Sequence, residues 1–172
     1  MPRTVGCVLL VTTCLILAPC ATPQAKISEE KPVDEINNQR GLALRGYDPV
    51  AYFTEHKPVE GKPDITYQWH GATYRFATSH DRELFQGNPE HFVPQFGGYC
   101  AYAVSLGTTA DGDPLQWTVD GDRLFVNNNA IAAKLWNQSR GKNIHKGIMN
   151  WSLIPKQPVA AGAPPDKTPA SH

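Results

Sequence analysis

Two stretches of this chain are patterned to turn back on themselves, and they constrain the fold more than anything else in it. In the first, Ile65, Tyr67 and Trp69 alternate with Thr66, Gln68 and His70. Gly71-Ala72 then offers a turn, and Tyr74 and Phe76 alternate on the return. In the second, Trp117 and Val119 lead into Asp120-Gly121-Asp122, and Leu124-Phe125-Val126 come back. A period of two sends one set of side chains to each face of a strand. Asp-Gly between two apolar runs is a short-range hairpin signal. Both stretches therefore predict local antiparallel pairing.

Helical signals lie between and after them. Thr78 and Asp81 match the S/T-x-x-D/E start pattern, in which hydroxyl and carboxylate serve the first turn's free N–H groups. Leu84 and Phe85 give that helix an apolar face, Gly87-Asn88-Pro89 ends it, and Pro89-Glu90-His91-Phe92 begins another turn. Asn127 to Asn129 offer N-caps for a helix carrying Ile131, Leu135 and Trp136, and a further helix is expected from Arg140 to Trp151. Gly46-Tyr47-Asp48-Pro49 reads as a turn, since Asp bonds back to the backbone and Pro presets its dihedral; 50–53 then read as a short strand or turn. The small residues of 97–104 predict a buried helix or extended chain. Strands that turn back locally, followed by grouped helices, predict an α+β fold: a small antiparallel sheet built from hairpins, packed with several short helices.

The ends differ from this middle. Residues 1–20, MPRTVGCVLLVTTCLILAPC, carry one early cation, Arg3, and then about fourteen apolar residues. That run is too short to span a bilayer comfortably and has the length of a signal-peptide core. Leu17-Ala18-Pro19-Cys20 resembles a bacterial lipobox, which makes Cys20 the candidate lipidation site, although Pro19 stands where the motif has Gly, Ala or Ser. The expected location is periplasmic or extracellular, with membrane attachment only through such a lipid. Residues 21–39 are polar without an apolar period and read as a flexible linker; 157–172 form a Pro/Ala-rich tail expected to be disordered. The folded domain is expected over 40–156.

Once the signal is set aside, the cysteines matter. Cys7, Cys14 and Cys20 lie in or at the edge of the apolar leader, leaving Cys100 alone in the globular part. One cysteine builds no internal disulfide, so an apolar core must hold the domain. Basic and acidic residues balance at 16 each, and no basic run interleaves with aromatics, so nucleic acid is not an expected partner.

The chain resembles the exported YHS-domain proteins of bacteria. The resemblance rests on ALRGYDPVAYF (43–53), WHGATYRFATSHDRELFQGNPEHFVPQFGGYCAYAVSLG (69–107), DPLQWTVDGDRLFVNNN (113–129) and the closing Asn150-Trp151. The wider family is similar to small metal-associated modules that use paired cysteines, one near an early DPVCGM-type motif and one or two after a Y-x-F-C strand. Here Ala51 and Ala77 stand at those places. The resemblance thus implies a binding module of the cell envelope whose remaining thiol is Cys100.

A soft metal site wants Cys, His or Met. The candidates are Cys100, His56, His70, His80, His91, His145 and Met149. None falls in a C-x-x-C or H-x-x-x-H spacing. His80 and His91 flank one helical segment and would face a common partner if the chain folds back at Asn88-Pro89. Cys100 with His80 and His91 is therefore the candidate metal site, and copper the candidate metal. Alternatively Cys100 is a small buried hydrophobe like Ala101 and Ala103. A catalytic thiol needs a neighbouring His, cation or helix N-terminus, and no cation lies within several residues of it. Asp111-Gly112-Asp113-Pro114 and Asp120-Gly121-Asp122 read as turns, as does Asp48, and Phe96-Gly97-Gly98 lacks the glycines of a phosphate loop. The expected function is a non-catalytic binding module taking copper or another soft metal through Cys100. The competing reading is a structural or protein-interaction domain without metal, in which Cys100 packs.

Overall fold

A computed structural model describes residues 31–158. The expected signal, the lipidation candidate Cys20, and the tail beyond 158 lie outside the described residues. Among the described residues no helix is long and apolar enough to cross a membrane.

The fold is α+β. Strands β1 (Asn38–Gln39) and β2 (Leu42–Ala43) precede a one-turn left-handed loop, Leu44–Gly46, and helix α1 (Ala51–Thr54). The first predicted hairpin is β3 (Lys62–Trp69) and β4 (Ala72–Phe76). Helices α2 (Ser79–Gly87) and α3 (Pro89–Phe92) follow, then a tight turn at Gln95–Gly98 and helix α4 (Ala101–Ser105). The second hairpin is β5 (Asp113–Asp120) and β6 (Arg123–Asn127), and α5 (Ala130–Gln138) and α6 (Arg140–Leu153) close the chain.

Both hairpins form; the first turn falls one residue earlier than Gly71-Ala72, and the second lies within the expected Asp120-Gly121-Asp122. His70 and Gly71 hold the first turn with φ of 46° and 76°, and Ala72 already belongs to β4. Gly121 and Asp122 hold the second, with φ of 55° and 61°. Two successive positive φ values match the right-handed strand twist, which is why they close two-residue hairpins. In β4 the alternation is strict: Ala72, Tyr74 and Phe76 are buried while Thr73 and Arg75 are half-buried.

The single antiparallel sheet expected from the hairpins is instead two sheets, one of them mixed. The four-stranded sheet has the order β1-β2-β4-β3. β1 pairs antiparallel with β2, but β2 meets β4 in parallel at Leu42↔Thr73. β5 and β6 form a separate two-stranded sheet. Two residues of β2 show no periodicity in sequence, so this pairing was invisible there.

Helix boundaries follow their caps. The Thr78 hydroxyl accepts the Asp81 N–H at 3.1 Å, the first bond of the start pattern, and donates to the Asp81 carboxylate at 2.6 Å, which takes the hydroxyl in place of a backbone N–H. Asn129 caps α5 by accepting the Ala132 N–H at 3.0 Å. One core lies against the first sheet, around Tyr74, Phe76, Phe85 and Phe92. A second joins α4, α5 and α6 around Phe96, Val104, Phe125 and Trp136.

The expected linker is corrected over its last part. From Val33 onward the chain packs on the domain: Val33 bridges Lys156, Ile36 is 7% exposed in the first core, and Asn37 donates its N–H to the Gly97 carbonyl at 2.7 Å. Gly97, at φ +61°, lets the backbones approach, because a Cβ there would collide with the Glu35 carbonyl. Isolated apolar residues and backbone hydrogen bonds with Gly97, Pro155 and Gln157 hold this segment without any period.

Candidate functional site

Cys100 sits at the junction of the second hairpin and α4. It immediately precedes the helix, receives support from the Ala110 carbonyl at 2.8 Å through its N–H, and bridges Val126. It is 2% exposed and is the free cysteine of the described residues. Its thiol faces the Asn127 side-chain oxygen at 3.8 Å. The same oxygen accepts the Tyr102 N–H at 3.1 Å. Asn127 thus does not serve α5, as its place in the Asn127–Asn129 run suggests; it turns inward and caps α4 from another strand. Its amide nitrogen is buried without a partner.

The expected metal residues do not converge. His80 lies exposed in the first turn of α2. His91 lies in α3, half-exposed, with Nδ1 3.4 Å from the Asp122 carboxylate and its ring against Phe53 and Phe92. It therefore ties α3 to the turn of the second hairpin. Among the described residues no three His, Cys, Asp or Glu side chains gather to hold a metal ion, so Cys100, His80 and His91 form no such group. The reason is topological: Cys100 is locked inside between α4 and β6, while both histidines belong to outer helices. His70 pairs with Glu35 at 3.0 Å, and Met149, His56 and His145 are exposed.

Asp48 does more than turn the chain. It is fully buried, and its two oxygens accept the Val50 N–H at 2.8 Å and the Ala77 N–H at 2.7 Å. It pins the Gly46–Pro49 turn to the end of β4. Burial pushes its carboxyl up from 3.8 to about 6; the Ala77 and Val50 N–H groups pull the other way, and Asp81 adds to the rise.

Two depressions stand out on the surface of the described residues. The larger, about 800 Å³, lies where the N-terminal segment meets the start of α4. Side-chain amides of Asn37, Asn38 and Gln39 line it, with Tyr99 and Leu42 as its less polar wall. Its charges balance: Arg40 and Arg45 against Asp34 and Asp111. The walls are fixed by their own hydrogen bonds. Asn37 donates to Asp111 at 3.1 Å, Gln39 to the Gly112 carbonyl at 3.1 Å, and Arg45 Nε to Gln39 Oε1 at 2.9 Å. Burial, together with Asp34 and Asp111, pushes the Tyr99 phenol up and keeps it protonated. The rim backbone is left-handed at Arg40 and Arg45, two non-glycine residues with φ of 56° and 52°. Such residues carry local strain that surrounding contacts must hold.

The smaller depression, about 370 Å³, is a groove between the first hairpin turn, the chain after α3, and α6. Sequence reasoning reached neither depression, because each is assembled from segments far apart in the chain. Comparison with models of known protein families, with curated proteins and with solved structures gives no match.

Proposed function

We propose that the chain is a non-catalytic binding module of the cell envelope, of the exported YHS type, and that it holds a neutral, hydroxyl-rich solute in the 800 Å³ cleft. The observation that carries this reading is the cleft's lining: amide-rich, charge-balanced and braced by its own hydrogen bonds. Amide, carboxylate and guanidinium groups each offer two adjacent polar atoms, which suit neighbouring hydroxyls on one ligand. A charge-balanced wall favours neither a strong anion nor a strong cation. Of the two readings of Cys100, its burial and its contact with Asn127 support packing.

The test is calorimetric titration of the protein with the neutral tetrasaccharide of N-acetylglucosamine and with maltotetraose. Saturable binding of at least one, weakened by Asn38→Ala and Arg40→Ala, is expected. Heats indistinguishable from dilution for both would rule the reading out.

A further inference from the structure

The smaller groove has a different chemistry from the cleft. Trp69 and Trp151 contribute aromatic surface, Val93, Pro94 and Ile148 aliphatic surface. Ile148 is 49% exposed, while Trp69, Val93 and Trp151 are half-buried and Pro94 is buried. The titratable groups on the lining are Glu35, Glu90 and His70. Glu35 already faces His70 at 3.0 Å. Among the described residues Glu90 pairs with no cation. The groove therefore joins half-buried aromatic and aliphatic surface, open to water at Ile148, to the carboxylate of Glu90.

Trp151 already carries a cation of this chain. Lys156 Nζ lies 4.2 Å over its ring and donates to the carbonyls of Trp151 and Ile154. Lys156 is held at those carbonyls and does not line the groove. An indole face attracts a cation through its quadrupole, most strongly where water is displaced.

We propose that this groove docks an extended peptide segment of a partner protein, one that places a lysine or arginine beside apolar side chains. The apolar side chains would cover Ile148 and Trp69, and the cation would meet Glu90. Charge complementarity selects this occupant: an acidic apolar segment would set like charges together at Glu90, and a purely polar cationic one would leave the apolar wall uncovered. This inference is independent of the saccharide cleft.

The test is fluorescence anisotropy of a labelled five-residue peptide alternating leucine and lysine, titrated with the protein. A leucine–glutamate peptide and a serine–lysine peptide of equal length run beside it. Saturable binding of the leucine–lysine peptide alone is expected. Glu90→Gln should weaken it roughly three- to fivefold, as loss of an exposed ion pair does. Trp69→Ala should weaken it about tenfold or more, as loss of an aromatic anchor does. Ile148→Lys, at a half-exposed position that does not endanger folding, should abolish it. Absence of binding, equal binding of either control peptide, or unchanged affinity in both Glu90→Gln and Ile148→Lys would overturn the proposal.

Discussion

The side-chain oxygen of Asn127 accepts the N–H of Tyr102 at 3.1 Å, so the last residue of β6 caps a helix twenty-five positions earlier in the chain. Capping is usually local; here the cap arrives from another element and fastens the second hairpin to α4. Removing it leaves the Tyr102 N–H without its acceptor and opens a small void. Asn127→Ala should destabilise the protein by about 2 kcal/mol. Urea unfolding followed by far-UV dichroism measures this, and a midpoint equal to wild type would show that the cap carries no weight.

Cys100 shares that oxygen and is enclosed. Cys100→Ala should therefore cost only about 1 kcal/mol, the loss of one buried sulfur from a small-residue neighbourhood. Iodoacetamide should label the thiol many times faster in urea than in buffer. Copper(I) loading under reducing conditions should be the same for wild type and Cys100→Ser. One equivalent of copper in wild type that disappears in Cys100→Ser would restore the metal reading.

Asp48 makes stability depend on pH. Its carboxyl binds a proton more tightly in the folded chain, at about 6 against 3.8. Its contribution is therefore fully present below about pH 4 and is lost as pH rises through about 6. The loss is on the order of 3 kcal/mol, since each unit corresponds to about 1.4 kcal/mol. Asp48→Asn should abolish this slope. It should also destabilise by about 2 kcal/mol, because its amide would point a donor at the Val50 or Ala77 N–H. Chemical unfolding at a series of pH values between 4 and 7 tests both, and a wild-type stability that climbs over that interval would contradict the assignment.

Gly97 admits the N-terminal segment. Gly97→Ala would drive a methyl group into the Glu35 carbonyl at a residue with positive φ. It should cost about 2 kcal/mol or more and raise amide exchange at Asn37, whose N–H is bonded to the Gly97 carbonyl. Exchange at Asn37 unchanged from wild type would mean that the segment holds by other contacts.

The elements with a period were legible. Alternating aromatics announced the first hairpin, Asp120-Gly121 between apolar runs the second, and Thr78–Asp81 announced α2, because those signals act over a few residues. What escaped had no local signature. Val33 and Ile36 are single apolar residues in a polar stretch, yet they seat it. Asn127 sits in a run of three asparagines, and nothing in that run says which one turns inward. The cleft joins Asn37 to Asp111 across a separation of 74 residues, and no spacing rule reaches so far. The first hairpin turn slipped by one residue because Ala72 already pairs with Trp69, which leaves His70 and Gly71 as the left-handed pair.

Val33 and Lys156 are bridged, and Gln157 donates its N–H to the Val33 carbonyl at 2.8 Å. The domain therefore begins and ends at one seam. Such a body behaves as a cassette: a short linker between 33 and 156 would let new termini be cut into an exposed turn such as Gly121–Asp122, or let the whole domain be grafted into a surface loop of a host, with its apolar cores left as they are.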